Sequence, residues 1–157
     1  MKKLIATVAL AGSVMAGGLM ATTPGWGADA RSPCYTQSAI EAEQAIRYLT
    51  DVMVASSACQ NTTYAEFRLR NRDAIVSYQN ALISHFHGAP AFDRWNTALA
   101  NVAAQKQANA NLGVFCQQSA ALMNHAKALD PAAFRAYVVS QATAAGAQYA
   151  KCGAAKR

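Results

Sequence analysis

The chain has 157 residues and a formal net charge of +6, with 53% apolar and only 14% charged side chains. That length suits one domain and excludes a dinucleotide-binding pair of domains or an α/β barrel. Alanine fills 37 positions, so much of the apolar share is a strong helix former, and the aliphatic and aromatic residues are too many for a disordered chain.

Met1-Lys2-Lys3 is a short positive start, and Leu4 through Ala21 is an uncharged apolar run. Ala28-Asp29-Ala30 then places small residues where signal peptidase reads before cutting. Residues 1–30 are therefore expected to be a secretory signal peptide, leaving a single domain over 31–157. A retained anchor is the rival, since 18 uncharged residues just span a bilayer. Gly12, Gly17 and Gly18 weaken that run, and Pro24-Gly25 breaks it. Cleavage would remove Lys2, Lys3 and Asp29, leaving 12 basic against 7 acidic side chains and a net charge of +5. The expected product is exported, to a periplasm or beyond the cell.

Four cysteines, Cys34, Cys59, Cys116 and Cys152, all fall in the mature part. An even count in a small exported domain reads as two disulfides. Spacings of 25, 57 and 36 residues match no redox motif, zinc knuckle or haem attachment site.

The first apolar stripe is Ala39, Ala42, Ile46, Leu49 and Met53, predicting a helix over 33–57 that starts at Ser32-Pro33. Glu43, Arg47 and Asp51 sit four apart on another face of it and offer ion-pair support. Thr63-Tyr64-Ala65-Glu66 reads as a capping box opening a second helix. Its stripe is Tyr64, Phe67, Asn71, Ile75, Tyr78, Leu82 and Phe86, and it ends near His87-Gly88 before Pro90. A third stripe follows at Phe92, Trp95, Leu99 and Val102. The period fails over 105–111 and resumes at Phe115, Cys116, Leu122, Met123 and Ala126. That pattern fits either a break or kink near 105–113 or one long, locally polar helix over 91–129. Asp130-Pro131 caps a last helix carrying Phe134, Val138, Ala145 and Tyr149. No alternating β pattern and no internal repeat is present. The expected fold is all-α, an antiparallel bundle of four helices stapled by two disulfides.

That topology predicts the disulfide pairing. A continuous first helix holds Cys34 and Cys59 about 37 Å apart at 1.5 Å per residue, far beyond the roughly 7 Å a disulfide tolerates. In an antiparallel bundle the first and last helices bring Cys34 to Cys152, leaving Cys59 for Cys116.

Chemistry-bearing residues are few, and each has a plain structural reading. His85, His87 and His125 are candidate metal or haem ligands, yet His85 and His87 diverge by about 200° if both lie on one helix. Met53 and Met123 sit on apolar stripes and suit core packing better than ligation. Arg68 and Arg72 share a helix face, with Arg70 beside them. Such a pair can clamp a phosphate or carboxylate, or simply form a solvated face. Asn71, Asn101 and Tyr78 fit either a polar pocket or a hydrogen-bonded core network, as do Tyr48 and Tyr64. No Gly-x-Ser-x-Gly elbow, phosphate loop or His-Glu-x-x-His helix is present, and no cofactor is expected.

The best-supported function is an exported, non-enzymatic helical module that binds a protein partner or a small ligand. A metal- or haem-binding bundle is the first alternative, and an enzyme whose site has no linear motif is the second. Nucleic acid is disfavoured as a partner for want of a binding motif. Acidic lipid headgroups or cell-wall polymers are the better-fitting anionic surfaces.

Overall fold

The computed structural model describes residues 34–153, and the expected signal peptide and Ser32-Pro33 lie outside them. Helix α1 spans Gln37–Ala58, starting later than expected because Thr36 caps it, its hydroxyl accepting from the Ala39 N–H at 3.2 Å. Buried positions on α1 include Ala39, Ile40, Ala42, Glu43, Ala45, Ile46, Tyr48, Leu49, Thr50 and Val52, too many for one stripe. A helix buried this far round must be surrounded, and α1 packs against each of the other five helices. The alanines present only a methyl group, which leaves room for neighbours on several sides.

Among the described residues there are six α-helices, not four. The expected second helix is divided into α2 (Thr63–Arg70) and α3 (Arg72–His85). Asn71 bends the chain there, with φ −104° and ψ 18°. Its buried amide donates to the Phe67 carbonyl at 3.1 Å and to the Leu129 carbonyl at 3.3 Å. A side chain that competes with the backbone for a carbonyl one turn back bends a helix. The third expected helix is also two, α4 (Ala89–Ala108) and α5 (Leu112–Ala128), parted within the region flagged by the lost periodicity. Asn111 caps α5 by accepting from the Gly113 and Val114 N–H groups.

The start of α2 also departs from expectation. Thr63 does not cap it; Asn61 and Ser56 do, accepting from the Thr63 and Tyr64 N–H groups at 3.1 and 3.2 Å. Glu66 pairs with the hydroxyl of Thr62 rather than completing a box with Thr63. The last helix, α6 (Pro131–Ala145), begins as its cap and proline predict, with Asp130 accepting from the Ala133 N–H at 2.8 Å.

The core centres on α1 and on an edge-on contact of Phe67 with Phe134, ring centroids 4.9 Å apart. Burying each such ring contributes roughly 1.5–3 kcal/mol. Val102, expected on the apolar stripe of α4, is instead half exposed; Phe92 and Ala103 are the buried positions of that helix. Two disulfides tie the perimeter: Cys34–Cys152, with Cα atoms 4.8 Å apart, and Cys59–Cys116, at 5.6 Å. Backbone bonds between Tyr35 and the Ala150–Cys152 segment, at 2.8 and 3.0 Å, accompany the first. None of the described helices is long and apolar enough to cross a membrane.

Candidate functional site

The three arginines around the Asn71 bend have separate fates. Arg70 is structural: its Nη1 donates to the Lys127 carbonyl at 2.6 Å and to the Leu129 carbonyl at 3.2 Å, satisfying the end of α5. Arg68 and Arg72 are exposed, and among the described residues neither makes an ion pair or a side-chain hydrogen bond. Arg68 lies in the last turn of α2 and Arg72 opens α3, so the bend stands between them.

That bend also shapes the surface. Between α2 and α3 lies an open groove of about 870 Å³ whose lining includes Tyr64, Arg68, Leu69, Arg72, Val76 and Gln79. Its floor is the edge of the core, Leu49 of α1 and Ile75 of α3. Leu69 is 79% exposed, the most exposed large aliphatic among the described residues, and Val76, 43% exposed, lines the same groove. Smaller hollows continue the groove past Arg72 toward Asn80 and toward Arg135 of α6. Among the described residues, Asp73 is the one acidic side chain lining these hollows. The result is a hydrophobic furrow with a cationic rim, able to take apolar groups on its floor and anionic groups at its mouth.

A second polar cluster lies near the Cys34–Cys152 bond. Glu43 is 2% exposed, and one carboxylate oxygen accepts from Arg47 Nε and Nη2 and from the Tyr149 hydroxyl. Gln44 in turn donates to the Tyr149 oxygen at 2.8 Å. The other oxygen of Glu43 is buried without a hydrogen-bond partner, as is Nε2 of His85. Tyr35 packs on both His85 and Tyr149, with centroids 4.2 and 4.7 Å away. Burial, and then Glu43, holds the Tyr35 hydroxyl well above its usual pKa. Burial also pushes the His85 pKa down, against the pull of Glu43. This cluster anchors both ends of the described chain to α1.

The remaining sequence candidates do not converge. His87 is exposed, while His125 lies against Tyr48 and Tyr137 and its Nδ1 is 3.0 Å from the Tyr48 hydroxyl. His85 packs in the separate Tyr35 cluster. Among the described residues no three His, Cys, Asp or Glu side chains gather as a metal site would require. Asn101, expected in the interior, is exposed, because the inward face of α4 falls at Phe92 and Ala103. Tyr78 is half-buried and packs edge-on against Phe134 at 5.9 Å, so it joins the core. Asn71 is buried as a junction between the bend and Leu129, with its Oδ1 unpartnered.

No protein-family model, curated protein or solved structure matches this chain. The groove's apolar half was missed from sequence, because Leu69 lies off the helical stripe and reads as an isolated surface leucine. A visible signal was Leu69 and Val76 set among Arg68, Arg72 and other polar residues, the pattern of an amphiphilic surface.

Proposed function

We propose that the chain is an exported, non-enzymatic binding module, held by two disulfides, whose recognition face is the groove between α2 and α3. The observation that carries this reading is the pair Arg68 and Arg72, without ion pairs among the described residues, standing either side of a bend over an apolar floor. Leu69 and Val76 beside these arginines give the groove an apolar part next to its charge. Two disulfides suit a compartment where thiols are oxidised, in keeping with export.

The test is affinity capture from the exported fraction with wild-type and Arg68→Glu/Arg72→Glu protein. Both side chains are exposed and off the core, so folding should change by no more than about 0.5 kcal/mol per site. Loss of the captured molecule with an unchanged melting temperature supports the reading. Undiminished capture by the charge-reversed protein overturns it.

A further inference from the structure

The occupant of the groove is open to a sharper statement, which rests on the reading above. We infer that the α2–α3 groove receives an acidic amphipathic helix of a partner protein, its apolar side chains on the groove floor and its carboxylates on Arg68 and Arg72. Three features point to this occupant.

The first is shape. The groove is open along its length and continues along α3, a helix of 14 residues. The lining on α3 runs from Arg72 to Asn80, about 12 Å at 1.5 Å per residue, which matches two turns of an adjacent helix. A small ligand is normally enclosed over most of its surface, and an acyl chain needs a dry cavity. An open furrow floored by Leu49 and Ile75 gives neither, but accepts one or two bulky side chains projecting from a helix.

The second is the backbone chemistry of the walls. Past the α2–α3 junction both walls are helices whose amide groups pair within the helix. They offer no strand edge, so an extended peptide laid here would leave its own backbone groups without partners as it displaced water. A helical segment carries its hydrogen bonds within itself and avoids that cost.

The third is charge. Arg68 and Arg72 lack ion pairs among the described residues, and Arg135 lies at the adjoining hollow toward α6. Among the described residues of the lining, Asp73 alone opposes them. Carboxylates spaced three or four apart on a partner helix would meet such a rim on one face, and arginine forks bind carboxylates in two-point fashion.

The direct test uses a designed 16-residue helical probe, roughly four turns, with leucines three and four apart flanked by glutamates. Binding is read by fluorescence anisotropy against the full chain with both disulfides intact. The expected result is measurable binding, weakened at least tenfold by Arg68→Glu/Arg72→Glu and by Leu69→Asp/Val76→Asp. Arg94→Glu/Lys106→Glu, on α4, changes net charge equally and should leave binding within about twofold; an equal loss there would show bulk charge attraction and overturn the proposal. A probe with lysines in place of glutamates, or one broken by a central proline, should not bind. Vesicles containing anionic lipid serve as the rival: groove-dependent binding to vesicles with none to the probe overturns the helical occupant while leaving the groove as recognition face. If capture of the native partner survives both groove variants, the underlying reading fails instead.

Discussion

Arg47 reaches a single oxygen of buried Glu43 with two of its nitrogens, at 2.8 and 2.6 Å, from a position one turn along α1. Arg47 itself keeps 45% of its side chain in solvent, against 3% for Glu43. The pair is therefore lopsided: the carboxylate has given up its water, and the guanidinium has not.

That asymmetry orders a set of variants. Arg47→Ala leaves a buried carboxylate with only the Tyr149 hydroxyl, and the loss should be about 2–3 kcal/mol, under the usual range for a fully buried pair because Arg47 is half exposed. Glu43→Gln keeps the shape and removes the charge that needs compensating, so it should cost less than Arg47→Ala. Combining the two should recover part of the Arg47→Ala loss, since removing both partners is milder than stranding one. Urea unfolding of the three proteins checks the order, and additive losses in the double variant would contradict it.

The disulfide pairing carries its own expectation. Each bond closes a long loop, 118 residues for Cys34–Cys152 and 57 for Cys59–Cys116. Replacing either pair with alanine should cost about 2–5 kcal/mol, with a difference of roughly 0.6 kcal/mol between them on loop length alone. Non-reducing peptide mapping identifies the linked peptides directly, and a Cys34–Cys59 or Cys34–Cys116 link would refute the arrangement.

Two helix ends store removable strain. Gln60 and His87 take the left-handed conformation, φ 51° and 59°, after α1 and α3 respectively. Each lets the next residue close the helix by bonding back five positions: Asn61 N–H to the Ser56 carbonyl at 3.0 Å, and Gly88 N–H to Ile83 at 2.8 Å. Glycine suits that position, and both side chains point into solvent. Gln60→Gly or His87→Gly should gain about 0.5–1 kcal/mol, the relief of left-handed backbone less the added freedom of the unfolded chain. Gln60→Val should lose stability by a similar amount. Thermal melts settle it, and a loss with glycine would mean the side chains contribute contacts.

Helix existence was readable from the sequence because it rests on apolar periodicity. For the cysteines, helix length excluded Cys34–Cys59, and the choice of Cys34–Cys152 with Cys59–Cys116 came from the expected adjacency of first and last helices. The bend at Asn71 was hidden because the Phe67–Asn71–Ile75 spacing is helical throughout. Only the carbonyl of Leu129, contributed by a distant segment, shows why the amide there turns inward. The Glu43–Arg47 ion pair was legible from its four-residue spacing and forms on α1. The burial of Glu43 was not legible, because α1 becomes surrounded only once five other helices are in place. The Arg68–Arg72 pair was legible as charge, but the groove between them depends on the bend and so was not.

Acid should loosen the end of the molecule that holds Tyr35. His85 sits on α3 with Tyr35 of the N-terminal segment on its ring, Glu43 facing it from α1, and His87 nearby on its own chain segment. Burial depresses its pKa below the ordinary 6.5, the Glu43 charge opposing and the His87 charge adding to that shift. The unfolded chain therefore takes up a proton on this histidine at a pH where the folded chain has not. Stability rises with pH wherever the unfolded state binds more protons, so the neutral His85 contribution is complete above about pH 6.5 and is lost progressively below it. Wild-type protein should show a falling melting temperature from about pH 7 to pH 5, above the range in which most carboxylates titrate. His85→Gln, which cannot be protonated, should flatten that fall, whereas His87→Gln, at an exposed position, should leave most of it. An unchanged slope in His85→Gln would place the acid sensitivity elsewhere.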